Sequence, residues 1–297
     1  MIEVSIIIPT YKDWDRLSIC LKALEEQSYS AEAFEIIVVN NDPTDTPPPG
    51  FDIPVNCTIL DEAKPGSYSA RNAALRIVQG KFIGFTDSDC IPDKYWIENA
   101  VGLFDERADV MRIGGPLKIF FKAKTPTFVE LYDHRFAFPQ KGYISDGFSV
   151  TGNLFVRMEV VQKIGFFDGS LFSGGDRMWG LRANEEGMKI IYAEGVLVNH
   201  PARSSFKELY KKAKRIGKGQ AVYSPVYGDR LTIAINFLRL LKPKKSFISF
   251  ILKGSTIKLN FFQKIWLVFM SYFLIIIRYY YQVKYSRRYV SKVENCQ

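Results

Sequence analysis

An open α/β fold, with a parallel or mixed sheet flanked by helices, is what this 297-residue chain predicts, and three observations carry that prediction. Short β-branched runs at Val4–Pro9, Glu35–Asn40 and Lys81–Thr86 read as buried strands. Between them lie segments with helical spacing. Each of the three strands runs out into polar residues: Pro9-Thr10-Tyr11, Asn40-Asn41-Asp42 and Asp87-Ser88-Asp89. In open α/β sheets ligands bind beyond the carboxyl ends of the strands, so these clusters mark the expected site.

The elements follow in order. Arg16–Gln27 places Leu17, Cys20, Leu21 and Leu24 on one helical face. Asn41–Gly50 is rich in Asp, Thr and Pro and reads as a loop. Val55–Leu60 is a third strand in chain order, and Ser67–Gln79 a helix that Gly80 would cap. Farther on, Ile113–Phe121 and Ser149–Val156 read as strands and Glu159–Ile164 as a short helix. Arg177–Glu186 reads as a helix stopped by Gly187, and Lys189–Val198 contains a last strand. Strand-helix alternation of this kind is built from right-handed crossovers.

Charge divides the chain in two. From Phe206 to Gln297 there are 19 Lys+Arg and 3 Asp+Glu, about +16; residues 1–205 hold the remaining 21 and 28, about −7. This predicts an α/β domain over 1–205 and a basic helical region over 206–297 that meets a negative surface. In the second region, Phe206–Lys218 carries six Lys and Arg on a helical pattern. Ile265–Ile277 is a 13-residue apolar run flanked by Lys264, Arg278 and three tyrosines. That is short of the roughly 20 residues that cross a bilayer. It reads as a helix lying in or dipping into the membrane interface, or else as a core helix. The four cysteines, Cys20, Cys57, Cys90 and Cys296, have neither disulfide-framework nor metal-ligand spacing. With no signal-peptide pattern, the expected location is the cytoplasmic side of a membrane.

Asp87-Ser88-Asp89 is the central chemical feature. Two carboxylates one residue apart, just past a strand, suit a hard cation such as Mg²⁺ or Mn²⁺ shared with substrate phosphates; an acidic turn is the bland alternative. Several blocks together resemble the family 2 glycosyltransferases of the GT-A fold, from Val4 to about Lys218. They are VSIIIPTYK, EIIVVNNDPTD, KPGSYSARNAAL, KFIGFTDSDCIP, TGNLFVRMEVVQKIGFFD and LFSGGDRMWGLRANEEGMKIIYAEGVLVNHPAR.

The resemblance implies an inverting, metal-assisted transfer from a nucleotide-sugar, with UDP favoured, to a glycan or lipid-linked acceptor. It implies that Pro9, Thr10 and Tyr11 line the nucleotide pocket and that Asn40 stands where the family reads the base. Arg71 would lie near the diphosphate, Asp87 at the ribose or metal, and Asp89 on the metal. Asp176 would be the general base, opening a helix whose dipole favours its charged form, or else only a helix cap. Gly174 and Gly175 would let the backbone approach the acceptor. Trp179 would stack on an acceptor sugar or fill the core, and His200 would complete the metal shell or simply pack. Gly175 stands where the family often has Glu, and Met178 where an acid often follows, which leaves the acceptor open.

Other classes fit less well. A nucleotidyltransferase wants a Gly- and Arg/Lys-rich loop after the first strand, and PTYKDWDR is there instead. A dinucleotide oxidoreductase wants GxGxxG at that place. A non-catalytic binding protein would have no reason to keep Asp87, Asp89 and Asp176 together. The apolar run suits lipid better than nucleic acid as the partner of the basic region.

Overall fold

The computed structural model describes residues 1–226, 230–242, 257 and 259–294. Cys296 lies outside them. The chain forms two compact units: residues 1–120 with 138–201, and residues 121–137 with 202–297.

The first unit is a mixed α/β sheet flanked by helices. Its first half runs β1 (Val4–Thr10), α1 (Trp14–Glu25), β2 (Phe34–Asn40), β3 (Cys57–Asp61), α2 (Ser67–Ala74), β4 (Phe82–Thr86), β5 (Ile91–Pro92) and α3 (Trp96–Glu106). β6 (Arg112–Gly114) and β7 (Leu117–Phe120) follow. Seven strands form the main sheet in the order β3-β2-β1-β4-β8-β6-β9, where β8 is Asn153–Arg157 and β9 is Ile190–Tyr192. β1 is parallel to β2 and β4; β8 runs antiparallel to β4 and β6. A small sheet joins β5, β10 (Val198–Pro201) and β7.

Every residue of β1 is buried, and the period of two decides which helices each covers. Val4, Ile6 and Ile8 face the layer of α1 and α3, while Ile7 joins the core under α2. That second core also takes residues of α6 (Met158–Ile164) and α7 (Gly175–Glu185). Because β1 is flanked by β2 on one side and β4 on the other, the crossovers diverge there. A crevice opens beyond Thr10, Asn40 and Thr86.

Three local expectations change. The helix after Ser67 ends at Ala74, and Gly80 is no cap: a Cβ there would lie 2.7 Å from the Ser5 backbone nitrogen, so Gly80 lets the chain press on β1. The run 113–121 breaks at Gly115-Pro116 and feeds two sheets, because a Cβ on Gly115 would sit 1.7 Å from the Val196 carbonyl. The stretch 189–198 divides likewise into β9 and the start of β10. Helix α3 and the short α5 (Gln140–Ser145) have no counterpart in the sequence reading.

The second unit is helical: α4 (Phe128–Phe136), α8 (Phe206–Tyr223), α9 (Arg230–Leu241) and α10 (Phe261–Glu294). Thr127 and Ser205 close capping boxes with Glu130 and Glu208 and fix the starts of α4 and α8. Leu131, Leu209, Ala213, Leu267, Met270 and Leu274 form its core. The 13-residue apolar run proves to be part of a longer apolar stretch: Phe261–Ser286 is long and apolar enough to cross a membrane. Within it, 22% of the most apolar 18 residues are buried inside the protein.

Candidate active site

Thr10, Asn40 and Thr86 end their strands at one edge, and the loops that follow build a cleft of about 280 Å³. Pro9, Thr10, Tyr11, Asn41, Asp87 and Asp89 line it, with Asp13, Arg16, Ser67 and Ser88. Tyr11 is 62% exposed and offers a ring face at the mouth. Lys12 takes a positive φ of 53°, which turns the chain sharply into α1 and lets its ammonium pair with Asp42 at 3.2 Å. Thr10 Oγ1 is buried with no hydrogen-bond partner, an unsatisfied group in the wall of a polar cleft.

The turn after β4 holds both carboxylates. Asp87 pairs with the buried Arg71 of α2. Asp89 Oδ2 lies 3.3 Å from Arg16 Nη1 and 3.5 Å from His200 Nε2. Ser88 donates to Asp13 Oδ2 at 3.0 Å, while Asp13 also accepts from Arg16 at 2.7 Å. All three residues of the turn thus line the cleft, with Ser88 anchoring it to Asp13.

His200 carries the fit to a cation. Its Nδ1 is 2.7 Å from the Pro201 carbonyl, so the hydrogen belongs on Nδ1 and Nε2 presents its lone pair to Asp89. A lone pair facing a carboxylate is satisfied by a proton or by a metal ion between them. Asp87, Asp89 and Cys90 also come within metal-ligand range of one another. Cys90 is a poor ligand: it is fully buried, its sulfur contacts the Gly152 carbonyl, and burial pushes its thiol well above the usual range. The Asp87 and Asp89 carboxylates, with His200 Nε2 3.5 Å from Asp89, are donors of the kind that suit Mg²⁺ or Mn²⁺.

Asp176 lies in the first turn of α7, behind the cap residue Gly174, which adopts the left-handed region at φ 85°. Its carboxylate accepts from Thr151 N at 3.4 Å and Thr151 Oγ1 at 3.3 Å, and its own amide donates to the Tyr68 hydroxyl at 3.3 Å. Burial and the nearby Asp176 push the Tyr68 phenol up, so it stays protonated. Gly175 is required by packing: a Cβ there would lie 2.6 Å from the Tyr68 ring.

One expectation is corrected, and one open alternative is decided. Asn40 is 2% exposed, and its amide nitrogen donates to the Asp42 carbonyl, the Asp45 carbonyl and Asp61 Oδ1. Its side chain is thus tied to the loop, and its neighbour Asn41 is the one that lines the cleft. Trp179 is 1% exposed, stacks on Phe167 at 4.8 Å and donates to the Gly165 carbonyl at 2.9 Å. It fills the core under α7, the second of its two readings.

Residues missing from the sequence reading complete the site. Asp13 and Arg16 lie within PTYKDWDR, in the block already singled out, and their place in the cleft had no signal in spacing. Tyr68 sits two residues ahead of the ARN triplet. Thr151 and Gly152 precede β8 within the TGNLF block.

The model of the family described as "Glycosyl transferase family 2" matches residues 5–165. Glycosyltransferase AglE of Haloferax volcanii is 37% identical over 228 residues, covering 73% of this chain and 72% of AglE. Among solved structures, TarS 1–349 of S. aureus in complex with UDP-GlcNAc superposes with a TM-score of 0.53 at 18% identity. That match covers 86% of this chain and 77% of the other. Mannosyltransferase PcManGT of Pyrobaculum calidifontis, in complex with GDP-Man and Mn²⁺, gives 0.58 at 17% identity, over 93% and 85%.

Proposed function

Because this chain belongs to glycosyltransferase family 2, we propose that it transfers a sugar with inversion from a nucleotide-sugar, favouring a UDP-sugar, to a glycan or lipid-linked acceptor. The observation that carries the reading is the pair Asp87 and Asp89 in the turn after β4, with His200 Nε2 of β10 3.5 Å from Asp89 and Asp176 held by Thr151.

In this reading Tyr11 stacks on the base and Thr10 lends its unsatisfied hydroxyl to the nucleotide. Asp89 and His200 would hold Mg²⁺ or Mn²⁺, with Asp87 turned to it or to the ribose. A cation bound there neutralises the diphosphate as the bond to the sugar breaks. Arg71 fixes Asp87 and adds positive charge behind it. Asp176 takes the proton of the acceptor hydroxyl while that oxygen bonds to the anomeric carbon and the diphosphate leaves with the bonding pair. Gly174 and Gly175 keep the backbone beside Asp176 open to the acceptor. The solved relatives with UDP-GlcNAc and with GDP-Man and Mn²⁺ support a nucleotide-sugar donor.

The basic helical unit would place the enzyme at the cytoplasmic face of a membrane. Its apolar Phe261–Ser286 stretch and surrounding Lys and Arg support that. Failure to sediment with anionic liposomes would sink the placement.

Calorimetric titration of UDP and of GDP, with Mn²⁺ and with EDTA, tests the core of the reading. UDP should bind with Mn²⁺ and lose most of its affinity in EDTA or in Asp89→Ala. Binding of neither nucleotide would reduce the likeness to one of fold.

A further inference from the structure

Arg16 bridges two of the carboxylates that line the cleft. It lies in the first turn of α1, whose start is fixed: Trp14 is buried and donates to Asp45 Oδ2 at 2.8 Å. Arg16 Nε donates to Asp13 Oδ1 at 2.7 Å, and Nη1 donates to Asp89 Oδ2 at 3.3 Å. Asp13 is held in turn by Ser88, which donates to its other oxygen at 3.0 Å.

One oxygen of Asp89 is the decisive atom. Oδ2 faces both Arg16 and His200 Nε2, which is 3.5 Å away. It is therefore the oxygen that a divalent cation shared by Asp89 and His200 would use. A guanidinium and a divalent cation repel at contact range, so each weakens the other's hold on Oδ2. The Arg16 contact is of the kind that gives way. The two side chains are 48% and 22% exposed, and an ion pair open to water contributes little. The contact of Nε with Asp13 is shorter, so Arg16 stays tethered when Nη1 leaves Asp89.

The displaced guanidinium has a destination in the same cleft. Among the described residues that line it, Asp13, Asp87 and Asp89 are acidic and Arg16 is the one basic residue. A nucleoside diphosphate entering such a lining is met by few positive groups, and a guanidinium fork matches phosphate oxygens well. We propose that Arg16 is an exchange residue of the donor site: it holds Asp89 Oδ2 until a divalent cation takes that oxygen, and then presents its guanidinium to the diphosphate of the nucleotide. Arg16 is thus committed to the nucleotide only after Asp89 is neutralised, which disfavours a nucleotide that arrives without its metal. The proposal deepens the donor-site reading above and rests on it for the cation and the nucleotide.

The test uses the intact chain with Mn²⁺ and UDP as probes, and needs neither a donor sugar nor an acceptor. Mn²⁺ binding without nucleotide is read from the electron paramagnetic resonance signal of the hydrated ion, and UDP binding at saturating Mn²⁺ by calorimetry. Arg16→Gln removes the competitor for Oδ2 and should tighten Mn²⁺ alone by roughly three- to tenfold. The same variant should weaken UDP by about tenfold, as loss of a charge-assisted contact to phosphate does. A residue that only supported the fold would lose both affinities together. Lys12→Gln deletes the same charge from an exposed ammonium paired with Asp42, and should move both constants by less than about twofold. Circular dichroism establishes folding, and Arg16→Ala repeats the comparison if Arg16→Gln is misfolded. A parent that takes no Mn²⁺ even with UDP removes the metal reading, and the proposal with it. A parent that takes Mn²⁺ with UDP keeps the metal reading. The proposal is then overturned if Arg16→Gln holds Mn²⁺ alone no more tightly, if its UDP affinity is unchanged, or if Lys12→Gln has equal effects.

Discussion

Asp87 and Asp176 meet across one dipeptide: Thr151 donates to Asp176 at 3.3 Å, and a Cβ on Gly152 would lie 3.3 Å from Asp87 Oδ2. The carboxylates proposed for the donor side and for the general base are thus referenced to the same two residues. Asp176→Asn should keep the size and the Thr151 contacts while removing the proton acceptor. Turnover should fall by roughly 10²–10⁴-fold, the range expected for loss of a general base. The dissociation constant for UDP should stay within about twofold of the parent, because Asp176 does not line the nucleotide cleft. A matching loss of UDP affinity would move Asp176 from catalysis to donor binding.

His200 and Asp89 give a prediction about metal. Removing the imidazole leaves the carboxylates and takes away one neutral ligand. His200→Ala should weaken Mn²⁺ binding by about 10- to 100-fold, the range seen when groups that orient or complete a metal shell are lost. Titration of Mn²⁺ in the presence of UDP reads this directly. Unchanged affinity would make His200 a packing residue against Phe138, 4.9 Å from its ring centre.

Arg71 offers a stability test. Its side chain is 2% exposed, and its partner Asp87 is 40% exposed, so the pair is buried from one side only. Arg71→Met keeps the stem and deletes the charge. Asp87 stays hydrated at its open face, so the loss should be about 2 kcal/mol, below the range for fully buried pairs. The urea midpoint measures it. UDP affinity in Mn²⁺ should drop as well, because Asp87 loses its fixed direction.

The elements most legible in sequence are those where one physical signal dominates. β1, β2 and β4 are continuous buried apolar runs, and their polar ends had to fall at one sheet edge once the strands were parallel. Asp87 and Asp89 were legible for that reason. Asn40 was misassigned because a strand-end position does not tell whether a side chain faces the ligand or its own loop; the 40–45 turn claims its amide. For Trp179 the sequence left two readings, and the packing of Phe167 and Gly165, outside α7 itself, selects the core one. The path of 121–137 into the helical unit was hidden because packing partners 70 residues or more away, such as Arg203 for Asp133, leave no local pattern.

Gly175 tests whether the α7 start is held by packing or by ligand access. A methyl group there would meet Tyr68 Cε2 and Cζ at 2.6 Å, and the Tyr68 ring is backed by Phe167 at 5.7 Å. Gly175→Ala should therefore destabilise by about 1–3 kcal/mol, as other overpacking changes do. Trimming the obstacle in Gly175→Ala/Tyr68→Leu should recover part of that loss in thermal melts. A double variant no more stable than the sum of its parts would mean that backbone strain, not the ring, is what Gly175 relieves.

Lys212 makes stability depend on pH in a defined direction. Its folded-state value is brought down to about 7 by burial and by Arg203, from an ordinary lysine value of about 10.4 in the unfolded chain. Between those limits the unfolded chain holds a proton that the folded protein has released. Stability must then rise as pH rises from about 7 toward 10, and level off below 7 where both states are protonated. Chemical denaturation at pH 7, 8 and 9 should show that rise in the parent protein. Lys212→Met removes the titrating group and keeps the stem packed against α4, so its curve should be flatter over the same range. A parent curve already flat would place the Lys212 ammonium in solvent rather than against Asp133.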